Sequence, residues 1–146
     1  MPFRAPRLAL LIDAENAPAR IADALFREIE GMGDAIVRRI YGDFTNPALK
    51  GWTEILARFA LSPRQQFSSR TGKNSADIAL VIDAMDLLHQ GTVDGFCLVS
   101  SDSDFAGLAC RIREQGRTIT GFGEGKTPET FRQACTRFVL IDPQPV

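Results

Sequence analysis

Leu8-Ala9-Leu10-Leu11-Ile12-Asp13 is an unbroken apolar run that ends in a carboxylate. Phe96-Cys97-Leu98-Val99 is a second apolar run, and it is followed by Ser100-Ser101-Asp102-Ser103-Asp104. Continuous apolar runs of this length are typical of strands that are covered on both faces, as in a parallel sheet. Both stretches therefore predict central strands with acidic side chains at their carboxyl ends.

The rest of the chain alternates between strand-like and helix-like patterns. The predicted strands are 8–13, 35–41, 65–67, 96–99, 118–122 and 138–141. The predicted helices are 18–30, 49–61, 76–90 and 105–114, and a final short helix begins at 128. This alternation predicts an α/β fold with a doubly wound, mostly parallel sheet and right-handed crossovers. In such sheets, sites form beyond the carboxyl ends of the strands, where the strand order reverses.

Length and composition indicate one globular domain. The chain has 146 residues, of which 45% are hydrophobic and 24% charged, with a formal net charge of -1. We expect a domain over 1–141 and a short, linker-like tail over 142–146. The charge balance excludes a uniformly basic nucleic-acid coat. The apolar runs are too short to span a bilayer and no signal peptide is evident, so we expect a cytoplasmic protein with no membrane partner. Three widely spaced cysteines predict buried thiols.

Four acidic residues lie at the ends of predicted strands or at the start of a helix: Asp13, Asp77, Asp102 and Asp104. If the first and fourth strands are neighbours, these side chains converge on one pocket. Carboxylates in such proximity repel one another unless some hold protons or a cation lies between them. Oxygen ligands without Cys or His suit Mg²⁺ or Mn²⁺. Each residue taken alone has a structural alternative, either a turn or a helix cap.

Four polar residues near these acids are candidates for substrate binding: Asn16, Arg70, Lys73 and Ser101. Asn16 can orient a water or a phosphate, or cap the following helix, and Ser101 can bind a phosphate or the turn backbone. Arg70 and Lys73 belong to a stretch, from 55 to 76, with four basic residues and no acid. Such a stretch holds phosphates or is a solvated loop; both interpretations remain open.

Other notable side chains are better explained by structure. Phe67 and Trp52 can stack on bases, but both fit core positions better. Asp83 and Asp86 follow Asp77 by six and nine residues on the same predicted helix. Helical geometry therefore directs them away from Asp77, although Asp83 can still flank the site.

Three motifs, taken together and in order, resemble those of the NYN (LabA-like) domains, a branch of the PIN-like nucleases. Leu10 to Asn16 resembles their hydrophobic-D-x-x-N opening. Lys73 to Ala84 resembles their K-x-x-D helix, and Leu98 to Phe105 is similar to their S-x-D-S-D-F signature. The stretch from 116 to 123 resembles the strand and glycine turn that come after this signature in the family. The resemblance extends over nearly the whole chain.

The resemblance implies a PIN-like three-layer α/β/α sandwich with a central, mostly parallel sheet. It also implies an RNA endonuclease site that uses Mg²⁺ or Mn²⁺, built from Asp13, Asp77, Asp102 and Asp104, with Asn16 nearby. Relatives often carry a C-terminal RNA-binding domain that this chain lacks, so RNA is the expected partner, and such an extra domain and self-association stay open.

Two other functional classes compete with the ribonuclease. The first is a non-catalytic module that binds metal and RNA, or a protein, on the same fold. The second is a different phosphoryl-transfer domain, of the Toprim or haloacid-dehalogenase type. The Toprim type needs Glu where Asp13 stands, and the dehalogenase type needs its D-x-D after the first strand, whereas here it follows the fourth. Both placements argue against the second class.

Overall fold

A six-stranded, all-parallel sheet forms the centre of the protein. The computed structural model describes residues 4–67, 75–101 and 104–142. Within them the strands are β1 (Arg7–Asp13), β2 (Asp34–Gly42), β3 (Ser62–Gln65), β4 (Gly95–Val99), β5 (Thr118–Gly123) and β6 (Arg137–Leu140). Their spatial order is β3-β2-β1-β4-β5-β6, and every neighbouring pair is parallel. The first and fourth strands are therefore neighbours, which was the condition for the acidic strand ends to lie close together.

Helices cover both faces of the sheet and complete three layers. They are α1 (Ala22–Glu30), α2 (Lys50–Thr53), α3 (Ser75–Gln90), α4 (Ala106–Glu114) and α5 (Glu129–Ala134), with short 3-10 turns at Ala14–Asn16, Ala19–Ile21 and Pro47–Leu49. Helix α1 and Trp52 pack on one face, whereas α3, α4 and α5 pack on the other. This is the expected α/β/α sandwich. None of the described helices has both the length and the apolar character that a membrane span needs.

Strand β1 is buried from Leu8 to Asp13 and supplies both cores. Leu8, Leu10 and Ile12 face the α1 side, and Ala9 and Leu11 face the α3 side. Alternate residues of a strand point to opposite faces, so a strand between two helical layers is apolar throughout. The continuous apolar run in the sequence has this physical cause.

Trp52 and Phe67, both expected in the core, have different environments. Trp52 is buried, and its indole Nε1 donates to the Ala17 carbonyl at 2.7 Å, so the core prediction is confirmed for it. Phe67 is 73% exposed, and the core prediction is wrong for it. The predicted third strand at 65–67 instead comprises Ser62–Gln65, so Phe67 lies beyond its end. Strand β3 tolerates Pro63 because β3 lies at the edge of the sheet.

The cysteines also divide between interior and surface. Cys97 and Cys135 are buried as expected, Cys110 is exposed, and all three are free thiols.

The helix predicted from 49 to 61 is replaced by shorter pieces. Helix α2 ends at Thr53, and hydrogen-bonded turns continue to Ala60. The Phe59 ring stacks face to face on Phe26 of α1, with ring centroids 4.3 Å apart. Arg38 Nη1 of β2 donates to the Phe59 carbonyl at 2.9 Å. These tertiary contacts hold the chain against α1 and β2 in place of a regular helix.

Ala60 closes this segment with a positive φ of 53°, and the Leu61 amide donates to the Leu56 carbonyl at 2.9 Å. This is a helix-ending geometry that glycine adopts more readily than alanine. Ala60→Gly should raise the free energy of unfolding by about 0.5–1 kcal/mol, because relief of the left-handed strain exceeds the added entropy of the unfolded chain.

Urea denaturation measures this change. Gly91 provides the matched control, because it also has a positive φ, of 70°, but is already glycine. Gly91→Ala should lower the free energy of unfolding by about 1 kcal/mol. A loss of stability in Ala60→Gly would contradict this explanation of the turn.

Candidate active site at the carboxyl ends of β1 and β4

The strand order reverses between β1 and β4, and the candidate site lies where these two strands end. Ile12 is in register with Val99, so Asp13 and Ser100 follow a matched pair at the same edge of the sheet. From here the chain continues to helices on opposite faces. A crevice at such a switch point is the usual ligand position in parallel sheets.

Asp13 is the buried acid of this site, with 1% of its surface exposed. Its Oδ2 accepts hydrogen bonds from Asn16 Nδ2 and from Ser100 Oγ, both at 2.9 Å. Burial raises the pKa of the Asp13 carboxyl above its ordinary value, because desolvation outweighs these two hydrogen bonds and the nearby Glu15 backbone amide, all of which act to lower it. Its other oxygen, Oδ1, is buried and has no hydrogen-bond partner among the described residues.

Asn16 and the serine turn after β4 hold each other in place. The Asn16 carbonyl accepts from the Ser101 amide at 2.9 Å, and the Ser100 amide donates to the Phe122 carbonyl at 3.0 Å. Helix α1 begins only at Ala22, so the alternative in which Asn16 caps that helix is wrong. Asn16 instead orients the Asp13 carboxylate. Ser100 does the same.

Ser101, a predicted substrate-binding residue, faces β5. It is buried, and its Oγ accepts the Glu124 amide at 2.8 Å. A hydroxyl that accepts one hydrogen bond can still donate another, so the substrate-binding role stays a prediction. Gly123 ends β5 against this turn. A Cβ on Gly123 would lie 2.9 Å from the Ser100 carbonyl oxygen, so only glycine permits this approach.

Helix α3 brings Asp77 to the same side of the sheet as the Asp13 side chain. Leu80 and Ala84 are buried against the sheet, and Asp77 precedes them by three and seven residues, so it lies on the sheet-facing stripe. Asp77 is partly buried, and it lines a hollow of about 310 Å³ together with the exposed Asp104. Two of the four predicted acids therefore share one hollow.

The described residues do not group Asp13, Asp77 and Asp104 closely enough to enclose an ion by themselves. Among residues 4–67, 75–101 and 104–142, no set of three acidic, cysteine or histidine side chains has that arrangement. Asp102 lies outside the described residues, as do Arg70 and Lys73. Mg²⁺ is commonly held by one or two carboxylates, with water and substrate phosphate completing its shell. The oxygen-only donors and the unpartnered Asp13 Oδ1 fit such an ion.

Asp83 links α3 to the strand beside Asp13. Its Oδ2 accepts from the Tyr41 hydroxyl at 2.7 Å and lies 3.5 Å from Arg39 Nη1. Tyr41 is the register partner of Asp13 on β2, and burial raises the pKa of its hydroxyl. Asp83 thus flanks the site as a clamp between α3 and β2. In the sequence, the only indication that Asp83 lies near the site was its place in the same motif as Asp77.

Asp43 is a second buried acid at this edge, and it was not among the residues predicted for the site. It follows β2 directly, and its Oδ1 accepts from the Thr45 amide at 3.1 Å and from Gln65 Nε2 at 2.8 Å. These contacts join the ends of β2 and β3. The signal was present, because Asp43 follows a predicted strand just as Asp13 does.

The raised pKa of Asp13 predicts a pH dependence of stability. Between the ordinary aspartate pKa and the higher folded value, the folded protein keeps a proton that the unfolded chain releases. The free energy of unfolding of the metal-free wild type should therefore fall, relative to Asp13→Asn, as the pH rises through this window. Urea denaturation from about pH 4 to about pH 8, with a chelator present, measures it.

Mn²⁺ should then raise the stability of the wild type and leave Asp13→Asn unchanged, because a ligand stabilises the state that binds it. The free energy of unfolding of the wild type minus that of Asp13→Asn should fall as the pH rises. A difference that does not change with pH, or that increases, would contradict the desolvated state of Asp13.

Comparison with known proteins shows the family of this chain. The NYN domain model matches residues 7–142, and no protein with a curated description matches the chain. The crystal structure of VPA0982, a Vibrio parahaemolyticus protein of unknown function, is 20% identical with a TM-score of 0.79, and the match covers 97% of this chain and 96% of that one. It supports the fold alone. The Bordetella pertussis WlbA dehydrogenase in complex with NADH and UDP-GlcNAcA matches at 18% identity over 95% of this chain and 36% of that one, and its TM-score of 0.42 carries no argument. Because the family model spans nearly all of the sequence, the chain belongs to the NYN family of PIN-like nuclease domains.

Proposed function

We propose that this NYN domain is a ribonuclease that hydrolyses phosphodiester bonds within RNA and depends on Mg²⁺ or Mn²⁺. The single observation that carries the proposal is Asp13, a buried carboxylate with one oxygen held by two hydrogen bonds and the other without a hydrogen-bond partner in the described part of the chain. A buried polar atom without a partner costs free energy, which a bound cation would offset. Family membership supplies the class of reaction.

The residues have distinct roles in this proposal. Asp13 and Asp102 would hold the ion. Asp77 and Asp104 would complete its surroundings from the hollow that they line. When bound, the ion would supply charge neutralisation at the scissile phosphate and a more acidic attacking water. Ser100 and Asn16 fix the orientation of the Asp13 carboxylate, a supporting role that commonly affects metal affinity.

The carboxyl edge of the sheet offers a path for the RNA strand away from the acids. Asp13 is in register with Tyr41, and Tyr41 with Arg64, so the exposed Arg64 stands level with Asp13 two strands away, at about 10 Å. Phe67 lies three residues farther along, exposed as an aromatic surface on which a base can stack. Arg64 and Phe67 thus form the start of a proposed RNA-binding track. Arg70 and Lys73 would extend this track as phosphate contacts.

Cleavage of single-stranded RNA with Mn²⁺ tests the acids. Asp77→Asn and Asp102→Asn should each lower the cleavage rate by more than the roughly 10–100-fold that loss of a supporting residue costs. Asp86→Asn is the matched control, because Asp86 is an exposed acid on the same helix as Asp77. It should cleave like the wild type.

Either of two outcomes would sink the proposal. The first is an Asp102→Asn variant that cleaves as well as the wild type. The second is metal-dependent binding of RNA with no product over long incubation, which would favour the non-catalytic module on the same fold.

Salt dependence of RNA binding tests the track. Arg64→Gln should weaken binding and lower the slope of log K against log salt by about 0.7, the value for one phosphate contact on a single strand. Arg58→Gln is the control, since Arg58 pairs with Asp23 at 2.7 Å and its guanidinium lies 4.7 Å from the Phe59 ring centroid, in the α1 layer. Equal slopes for both variants would contradict the track.

A further inference from the structure

The hollow that Asp77 and Asp104 share has mostly apolar walls. Ile78, Val81 and Ile82 of α3 line it, and Phe105 closes it from the segment before α4. Its volume of about 310 Å³ lies at the lower end of the range for small-molecule sites. A site built only for a phosphate and a cation has no use for four hydrophobic side chains.

Two of these wall residues are unusually exposed. Ile78 is 60% and Ile82 is 54% exposed, and they lie one helical turn apart. The opposite side of α3 is already occupied, because Leu80 and Ala84 are buried against the sheet. A helix that only packs on a core needs one apolar stripe, whereas α3 has two. Exposed apolar surface next to polar groups marks a binding site.

The chemistry of the walls selects the occupant. The carboxylates of Asp77 and Asp104 repel a phosphate that brings no cation, and the aliphatic walls give it no hydrogen bond. A flat, uncharged, aromatic group suits them, since contact with its face needs no hydrogen-bond pattern. Asp77 and Asp104 line the hollow and, in the proposed function, also complete the surroundings of the ion, so a group in the hollow would adjoin a phosphodiester bound there.

We propose that this hollow holds the nucleobase of a nucleotide adjoining the cleaved phosphodiester, with Ile78 and Ile82 covering its face. The inference rests on the proposed ribonuclease function and adds a subsite to it. Base contact there would align the phosphodiester with the acids, and it would restrict cleavage to single-stranded RNA, because a paired base cannot enter.

A comparison of intact and abasic oligoribonucleotides tests the subsite. Cleavage by the wild type with Mn²⁺ first maps the scissile bond, and a second oligonucleotide then lacks the base on either side of it. Ile78→Gln and Ile82→Gln should each lower single-turnover cleavage of the intact strand by about tenfold, and both should equal the wild type on the abasic strand. Fluorescence anisotropy with Ca²⁺ in place of Mn²⁺ should give the same pattern for binding.

Leu140→Gln is the matched control, because Leu140 is 54% exposed on β6 and lines no part of this hollow. It should change neither substrate. All three positions are exposed, so their unfolding free energies should match the wild type, and urea denaturation checks this.

The remaining outcomes separate the subsite from the function. If the wild type cleaves RNA and the isoleucine variants lose equal activity on both strands, or none, the subsite is wrong and the ribonuclease stands. If sedimentation shows that the variants lose self-association instead, the hollow is a protein interface. If the wild type neither binds nor cleaves RNA, both proposals fall.

Discussion

The structure depends on keeping one carboxylate buried at the centre of a parallel sheet. Asp13 ends a strand that is buried from Leu8 onward, and its Oδ2 takes two hydrogen bonds while Oδ1 takes none from the described residues. Burial disfavours the charged form of this side chain, which is why its pKa rises. A protein keeps such a costly group where its charge has a use, and a cation is the partner that its chemistry accepts.

The surrounding architecture serves to hold that carboxylate still. The order β3-β2-β1-β4-β5-β6 sets β4 beside β1, so the serine turn after β4 meets Asp13 without any long loop. Gly123 lets β5 pack directly on that turn, and Ser101 ties it to Glu124. On the other side, Asp83 joins α3 to Tyr41 of β2. The site is thus braced from β2, β5 and α3.

Apolar runs and their acidic ends were sufficient to predict the fold and the edge that carries the site, because burial on both faces leaves a pattern in the sequence itself. Contacts between distant segments leave no such pattern. Thus the role of Ser100 became clear only from its hydrogen bond to Asp13, which is 87 residues away in the sequence. Phe67 was assigned to the core, but it lies beyond the end of β3 and is exposed. The helix predicted over 49–61 does not form as one piece, because the Phe59 ring packs on Phe26 and the Phe59 carbonyl accepts from Arg38.

Anomalous diffraction from a crystal soaked in Mn²⁺ would locate the ion itself. We expect a peak at bonding distance, about 2–2.5 Å, from the oxygen of Asp13 that now lacks a partner, with a further ligand from the D-S-D segment. A fully occupied Mn²⁺ peak elsewhere on the protein, with that oxygen still without a ligand, would contradict the account.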